Sequence, residues 1–264
     1  KEYRRQRQMC IRDSLCIHAA TDVSDPGKTV DPLHTFDAIV TGTRRVLEFA
    51  QAQGVSRFLL TSSGAIYGVQ PPNLDRISEN HEGAPNNLRA EAAYGNGKRT
   101  AEWLSCAFAQ SSGLQTTIAR IFALIGPGMP LNGPFAAGNF IRDQIQGKVI
   151  KIQGDGRPIR SYLYMADLCI WLLRILEFGK VGEAYNVGAE QPISIKDLAD
   201  LIATTTEQSQ PIEIAVAAHN SAELPPRYVP DTSKARQSLQ LCELTPLPVA
   251  IQKTLQWSRL AMAS

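Results

Sequence analysis

The chain alternates short apolar runs with longer amphipathic segments. Three runs rich in β-branched or aromatic residues predict strands at 15–18, 55–60 and 115–122. Apolar residues at helical spacing predict a helix over 37–53, with Gly54 at its C-terminal end, and a second helix that begins near Tyr94. Because strands and helices alternate, we expect an α/β fold with a parallel sheet.

The second half of the chain is richer in glycine and proline from Gly126 onward, which predicts a smaller lobe. Ser194 is a suitable N-cap for one of its helices. The same patterns predict polar loops at 21–35 and 70–93, the second of them mobile. The remaining predicted helices lie at 139–146, 167–176, 195–204, 232–239 and 248–262, and the remaining strands at 149–153, 185–188 and 212–216.

Two stretches carry candidate chemistry. Ser63 lies at the end of a predicted strand, and in open α/β sheets ligands bind at the carboxyl ends of the strands. Tyr94 and Lys98 are one helical turn apart, so their side chains share a face. An ammonium group near a phenol favours the phenolate and lowers its pKa. The sequence therefore predicts a proton-transfer site with Tyr94 as its base.

Several phrases, in this order, resemble the extended branch of the short-chain dehydrogenase/reductase superfamily. That branch contains the NAD-dependent nucleotide-sugar epimerases and dehydratases, and the chain is similar to UDP-glucose 4-epimerase-like members. The phrases are Ile17-His18-Ala19-Ala20, Gly42-Thr43, Ser62-Ser63, Ile66-Tyr67-Gly68, Tyr94 with Lys98, Arg120-Ile121-Phe122, Gly126-Pro127, Asn139-Phe140-Ile141, Gly154-Asp155-Gly156 with Arg160 and Asp167, and Tyr185-Asn186-Val187-Gly188.

The resemblance implies a doubly wound, NAD-binding Rossmann-type sheet with a smaller C-terminal α/β lobe. We expect residues 15–125 to form a partial NAD-binding domain, and 126–264 a nucleotide-sugar-binding lobe with segments that return to the cofactor sheet. No glycine-rich pyrophosphate motif precedes residue 15, so we expect an N-terminally truncated chain that is inactive as written. The basic segment 1–14 could be a nucleic-acid arm, but its lack of a linker favours a non-native leader.

The resemblance also implies roles for individual residues. Ser63, Tyr94 and Lys98 are the expected catalytic group, and no metal is expected. A homodimer is expected to form through the helix at 37–53 and the helix that carries Tyr94; both helices packing on the sheet alone is the alternative. Cofactor contacts are expected from Ala19, Ala20, Ser62, Tyr94, Lys98 and Phe122, and contacts to a nucleotide-diphosphate sugar from Ser63, Asn139, Arg160 and Arg227.

The residues after Ser63 bear on the choice of reaction. Family dehydratases carry an acid and a base there and the decarboxylases keep a glutamate, whereas this chain has Gly64 and Ala65, which favours epimerisation through a 4-keto sugar. A 4,6-dehydratase, an NAD(P)H-dependent ketoreductase and a catalytically silent NAD-sensing protein are the alternatives. Two positions depart from the family pattern, since Ile39 and Ala123 stand where relatives usually carry asparagine.

Composition agrees with a cytoplasmic enzyme that binds neither membrane nor nucleic acid. The 264 residues are 44% hydrophobic with a net charge of +2, and no apolar run approaches the roughly 20 residues that a membrane-spanning helix needs. The five cysteines are scattered without metal-binding or redox spacing, which suits a reducing compartment.

Overall fold

The computed structural model describes residues 15–20, 31–206, 209–216 and 223–263. The predicted leader at 1–14 and residues 21–30 of the first predicted loop lie outside them. The α-helices are α1 (Pro32–Ala52), α2 (Ala93–Ser112), α3 (Ala136–Ile145), α4 (Met165–Phe178), α5 (Ile195–Thr204), α6 (Ser233–Leu239) and α7 (Leu247–Ala263). The strands are β1 (Leu15–His18), β2 (Arg57–Ser63), β3 (Gln115–Ile121), β4 (Leu124–Ile125), β5 (Ile150–Ile152), β6 (Ile159–Arg160), β7 (Leu163–Tyr164), β8 (Ala184–Val187), β9 (Ile193–Ser194), β10 (Ile212–Ile214) and β11 (Arg227–Tyr228).

A four-stranded parallel sheet with the order β1-β2-β3-β8 organises the first half of the chain. Successive side chains of β2 point to opposite faces of this sheet. Phe58 and Leu60 pack with α1 and α2, whereas Leu59 packs with Trp171 and Ile175 of α4. The sheet is therefore covered by helices on both sides, which confirms the predicted α/β fold.

The fourth strand of this sheet comes from the second half of the chain. Strand β8 pairs with β3, and Tyr185 and Val187 are buried against α4. Segments after residue 126 thus return to the central sheet, while the domain boundaries 15–125 and 126–264 remain a prediction.

Helix α1 begins five residues before the predicted start at Asp37. Asp31 accepts a hydrogen bond from the Leu33 amide at 2.9 Å, and Pro32 occupies the first turn, where its missing N–H costs nothing. Residues 31–35 therefore cap and begin the helix and are not a loop. Further along α1, Ile39 is 5% exposed and fits against Gly97 of α2, where an added Cβ would lie 3.2 Å from the Ile39 side chain.

The smaller lobe packs helices α3, α5 and α7 around short strands, with a core that includes Phe140, Ile141, Ile150, Leu198 and Ile251. Helix α3 begins at Ala136, so the predicted start at Asn139 is wrong by one turn. The chain crosses closely here: an added Cβ on Gly138 would lie 2.1 Å from the Pro130 carbonyl oxygen, so only glycine fits. Asn139 is therefore the fourth residue of the helix.

The predicted loop at 70–93 ends in a short 3₁₀ turn at Ala90–Ala92 and is anchored near its middle. Ile77 is fully buried, donates to the Val229 carbonyl at 2.9 Å and accepts from the Asp231 amide at 2.7 Å. The Gln70 side chain accepts a hydrogen bond from the Val229 amide at 2.9 Å. The backbone of this part is therefore paired with the segment that follows β11, while the mobility of the loop stays a prediction.

In the part of the chain that the structure describes, no helix combines the length and the apolar content that are required to cross a bilayer.

Candidate active site

Ser63 is the last residue of β2 and the N-cap of a 3₁₀ turn at Gly64–Tyr67. Its Oγ accepts a hydrogen bond from the Ala65 amide at 3.1 Å, and the residue is 8% exposed. The neighbouring strand β3 ends beside it, with Phe122 next in the chain. The structure thus places Ser63 at the carboxyl edge of the sheet, as the sequence predicts.

Tyr94 and Lys98 lie in the first two turns of α2, next to this edge. The Lys98 ammonium donates to the Thr61 carbonyl at 2.9 Å and lies 5.9 Å from the centre of the Tyr94 ring. The Ser63 hydroxyl is close enough to the Tyr94 phenol to lower its pKa in part. The three residues that the sequence predicts as catalytic are therefore gathered at one place.

The pKa of Tyr94 differs from the sequence-based expectation. Burial raises it above its ordinary value, and the hydrogen-bonding interaction with Ser63 lowers it only in part. The predicted lowering by Lys98 is absent, because burial and Ser63 are the causes of the shift and Lys98 is not among them. Burial also lowers the pKa of Lys98 to about 8, against the attraction of Glu102.

We expect the stability of the protein to record the titration of Lys98. Its pKa is about 8 in the folded chain and 10.5 in its ordinary state, so the unfolded chain binds more protons between these values. The Lys98 contribution to the free energy of unfolding therefore rises with pH, by about 1 to 2 kcal/mol between about pH 7.5 and 9.5. Denaturant unfolding of the wild type and of Lys98→Met across this window measures the difference, and parallel pH curves for the two proteins would contradict it.

A third hydroxyl, that of Tyr228, lies at the same place. The Tyr228 hydroxyl lies 2.6 Å from where a Cβ on Gly64 would be, and Ser63 is close enough to lower the pKa of this phenol as well as that of Tyr94. The Tyr228 ring packs on Phe122 with 4.6 Å between the ring centres. Sequence reasoning missed Tyr228, because no local pattern links β11 to residues so far away along the chain.

An ion pair between Arg120 and Glu102 lies next to Ser62, the residue before Ser63. Arg120 donates to both carboxylate oxygens of Glu102, at 2.8 Å to Oε2 and 3.1 Å to Oε1. The same carboxylate accepts a hydrogen bond from Ser62 Oγ at 2.5 Å, and Arg120 also donates to the Tyr67 hydroxyl at 2.8 Å. The network therefore fixes the end of β2, and it engages the Ser62 hydroxyl for which a cofactor contact is predicted.

Arg160 and Arg227 lie on the paired strands β6 and β11. The Arg160 guanidinium is 5.8 Å from the centre of the Tyr228 ring. Because the Tyr228 hydroxyl lies next to Gly64, strands β6 and β11 lie near Ser63. Arg227 is 3.5 Å from the exposed carboxylate of Asp75, while its buried Nε has no hydrogen-bond partner among the described residues. A guanidinium group presents its donors in a planar fork that suits phosphate oxygens.

Asn139 lines a cavity of about 1540 Å³ in the smaller lobe, and Ser63, Tyr94 and Tyr228 do not line it. Arg142, Lys148 and Lys151 also line this cavity, which gives it a basic wall. The Asn139 amide donates to the Gly133 carbonyl at 2.9 Å and accepts from Arg142 at 3.2 Å. Because α3 begins at Ala136, Asn139 is the fourth residue of the helix, whereas the sequence predicts that it begins the helix.

Several residues for which the sequence predicts cofactor contacts lie at the edge of the sheet. Ala19 and Ala20 follow β1 and are exposed, and Lys98 and Tyr94 face the adjacent strand ends. The sequence holds no glycine-rich pyrophosphate turn before β1. No group of three or more His, Cys, Asp or Glu side chains that could hold a metal ion occurs within the described ranges.

Comparison with known proteins supplies the family. Residues 12–188 match the model of the NAD dependent epimerase/dehydratase family. The chain is 31% identical over 242 residues to UDP-glucuronic acid decarboxylase 1 of Xenopus tropicalis, with 92% of this chain and 56% of the relative covered. The chain thus spans little more than half the length of this relative, and 49% of the length of the Arabidopsis thaliana UDP-glucuronic acid decarboxylase 1.

Solved structures agree on the fold. UDP-glucose 4-epimerase from Thermotoga maritima, solved with UDP-glucose, has a TM-score of 0.82 at 22% identity, with 99% of this chain and 82% of that chain covered. dTDP-glucose 4,6-dehydratase from Bacillus anthracis, solved with NAD, has a TM-score of 0.75 at 21% identity, with 94% and 74% covered. The family match extends over the sheet edge, Ser63, Tyr94 and Lys98, and this chain belongs to the NAD-dependent epimerase/dehydratase family.

Proposed function

We propose that this chain carries the catalytic residues of an NAD-dependent nucleotide-sugar epimerase. The observation that carries the proposal is the site around Ser63, which has a hydroxyl, a phenol and an ammonium but no acid–base pair directly after the serine. Ser63 is followed by Gly64 and Ala65, and neither side chain can transfer a proton. Such a site can oxidise and re-reduce an alcohol, and it lacks the groups that would expel a substituent.

The packing at Gly64 supports this choice. A Cβ added there would lie 2.6 Å from the Tyr228 hydroxyl and 2.7 Å from the Phe122 ring. A larger side chain, such as the acid that dehydratases are expected to carry, does not fit without moving both rings. The space beside Ser63 is therefore occupied by a phenol from β11.

In the proposed reaction Tyr94, as its phenolate, takes the proton of a sugar hydroxyl, and Ser63 donates a hydrogen bond to the reacting oxygen. Bound NAD⁺ would supply the hydride chemistry at the same carbon, and Ala19, Ala20, Ser62 and Phe122 at the edge of the sheet would help to hold it. Lys98, whose ammonium lies 5.9 Å from the centre of the Tyr94 ring, is the cation that would stabilise the phenolate in the complex with cofactor and substrate. Tyr94 then gives the proton back when the carbonyl is reduced on its other face, so that the sugar changes only its configuration.

We infer that the substrate is a nucleotide-diphosphate sugar. Arg160 and Arg227 lie on adjacent strands near Tyr228, and guanidinium groups suit the paired oxygens of phosphate groups. The basic cavity at Asn139 is large enough for the nucleotide. The sugar would then lie towards Ser63 and the diphosphate towards the arginines.

We also propose a homodimer through α1 and α2, which pack against each other and each keep an exposed aromatic residue, Phe49 at 61% and Trp103 at 67%. If these helices form the contact, Trp103→Glu is expected to convert a dimer to a monomer, because the charge would be buried in an apolar interface. Light scattering after size-exclusion chromatography measures the molar mass of the wild type and of the variant. A monomeric wild type, or a dimeric variant, would contradict the proposed contact.

The function is tested by NMR with a panel of UDP-, dTDP-, GDP- and CDP-sugars that includes UDP-glucuronate. The 264-residue chain and a longer chain that adds the coding sequence found upstream of Leu15 are assayed side by side, without added cofactor. Interconversion of two epimers without net NADH is the expected result for the longer chain. Release of carbon dioxide, loss of water or a requirement for NAD(P)H would instead identify a decarboxylase, a dehydratase or a ketoreductase. Dinucleotide binding without turnover would indicate a sensor.

A further inference from the structure

A short strap, residues 83–85, contacts the helix that carries Tyr94. A Cβ added to Gly95, the residue after Tyr94, would lie 2.7 Å from the Pro85 ring and 2.8 Å from the Ala65 carbonyl oxygen. Ala65 belongs to the 3₁₀ turn that follows Ser63. The first turn of α2 therefore meets the strap and this 3₁₀ turn at one glycine, which leaves no room for a side chain between them.

The strap also contacts the end of the 3₁₀ turn. Gly68 closes this turn with a φ of 71°, and the Ala84 carbonyl occupies the place where a Cβ would be. A Cβ on Gly83 would lie 2.5 Å from the Tyr67 carbonyl oxygen. The strap, the 3₁₀ turn and the start of α2 are thus packed backbone to backbone at glycines.

Arg99 connects these three segments. It follows Lys98 on α2, and its Nη1 donates to the Ile66 carbonyl at 3.1 Å and to the Gly83 carbonyl at 2.9 Å. One carbonyl belongs to the 3₁₀ turn after Ser63 and the other to the strap. Hydrogen bonds from a charged donor are stronger than those between neutral groups. The proposed function gives Arg99 no role.

The proposed reaction depends on the distance between Ser63 and Tyr94. Both hydroxyls have to reach one sugar oxygen, Ser63 to donate a hydrogen bond and Tyr94 to take the proton. Ser63 ends β2 and Tyr94 lies on α2, so contacts between these elements set the distance. The Ala65 amide donates to Ser63 Oγ, so movement of the 3₁₀ turn would disturb this hydroxyl. A misplacement of about 1 Å can lower a rate about 10²-fold.

We propose that Arg99 is a positioning residue, which ties the 3₁₀ turn and the strap to α2 and so sets the distance between the Ser63 and Tyr94 hydroxyls. It acts through the Ile66 and Gly83 carbonyls and not on the reacting atoms. The glycines allow the close approach of the three segments, and Arg99 holds it. Loss of Arg99 is therefore expected to loosen the turn while the central sheet keeps its stability.

This inference rests on the proposed roles of Ser63 and Tyr94, but its first test requires no turnover. Amide hydrogen exchange is measured by NMR on the 264-residue chain. The Ala65 amide donates to Ser63 Oγ and the Gly68 amide to the Ala65 carbonyl, both at 3.1 Å, so these two amides report on the turn. Arg99→Met is expected to speed their exchange about tenfold and to leave that of the Leu59 amide in the central sheet unchanged.

Arg44→Met is the matched control, because it removes a guanidinium from another exposed helix position. Arg44 pairs with Glu48 of its own helix at 2.9 Å and connects no other segment. Exchange at Ala65 and Gly68 should therefore equal that of the wild type. Arg99 is exposed as well, so neither substitution opens a cavity in the core.

The second test is steady-state kinetics on the longer chain. Arg99→Met is expected to lower kcat about 10- to 100-fold, because the two hydroxyls are no longer held at one distance. The KM for nucleotide sugar should stay within about threefold, since Arg160, Arg227 and the basic cavity are unchanged. A merely structural role predicts no such division between kcat and KM, and general loss of stability would also speed exchange at Leu59.

Three results would overturn the proposal: unchanged exchange at Ala65 and Gly68 in Arg99→Met, equal acceleration at Leu59, or a wild-type kcat in an active longer chain. The two tests keep this proposal separate from the proposed function. Faster local exchange in a longer chain that epimerises no sugar would leave the connection through Arg99 in place and reject the proposed reaction.

Discussion

Tyr94→Phe is expected to lower turnover about 10³-fold while leaving the fold and ligand binding intact. The substitution removes only the hydroxyl that would take the sugar proton, and general-base catalysis contributes about 10² to 10⁴ to a rate. The ring remains between α2 and the sheet, where it packs with the α1–α2 core. Turnover is measured by NMR on the longer chain, and the binding of nucleotide sugar by calorimetry.

The control for Tyr94→Phe is Tyr162→Phe, which removes a buried phenol from the smaller lobe. Tyr162 packs against the core of the smaller lobe, and burial raises its pKa to about 12. We expect turnover within about threefold of the wild type, since no reacting group is removed. If Tyr94→Phe retained a tenth or more of the wild-type rate, Tyr94 would not be the base.

Arg120→Met is expected to destabilise the fold by about 3 to 5 kcal/mol, because it leaves the buried Glu102 carboxylate without its partner. Arg120 donates three hydrogen bonds to this carboxylate through two nitrogens, and others to the Tyr67 hydroxyl and the Glu79 carbonyl. Both side chains of the ion pair are largely buried, at 15% and 11% exposed. The free energy of unfolding is measured in urea.

An exposed ion pair offers the comparison for Arg120. Arg44 and Glu48 form an i,i+4 pair on α1 at 2.9 Å, with side chains 65% and 51% exposed. Arg44→Met is expected to change stability by less than about 0.5 kcal/mol, because water solvates the remaining charge. Equal losses for Arg44→Met and Arg120→Met would show that burial of the Glu102 pair does not determine its contribution.

The sequence predicts those features that depend on local pattern. The three runs that become β1, β2 and β3 are short and rich in strand-forming residues, and Tyr94 and Lys98 are one helical turn apart, so their place on one helix face follows from spacing alone. The sequence-based prediction starts α1 too late. It rests on apolar residues at helical spacing, and the Asp31 cap and Pro32 come before the first of them.

The features that were missed depend on contacts between distant parts of the chain. Arg120 comes from β3 and Glu102 from α2, and neither residue type predicts the other as its partner. Tyr228 reaches Ser63 only because β11 pairs with β6 and the following residues pair with the loop around Ile77. The raised pKa of Tyr94 follows from its burial, which spacing along a helix does not reveal.

The departures from the family pattern have different structural settings. Ile39 is part of the apolar contact between α1 and α2, against Gly97, so its side chain stabilises the helix that presents Tyr94. Ala123 follows Phe122 at the end of β3, and its carbonyl accepts a hydrogen bond from the Leu163 amide at 3.1 Å. Its side chain offers no polar contact, so the arginines of β6 and β11 are left as the proposed polar contacts to substrate in this region.

The fate of one hydrogen atom tests the epimerase account most directly. A nucleotide sugar with deuterium at the carbon that epimerises is converted in ordinary water, and the product is analysed by NMR and mass spectrometry. Because the proposed reaction returns the same hydride to that carbon, the epimer should retain the deuterium, with no net NADH formed. Loss of the deuterium to solvent would contradict the account. So would a product formed by elimination of water or by release of carbon dioxide from the sugar.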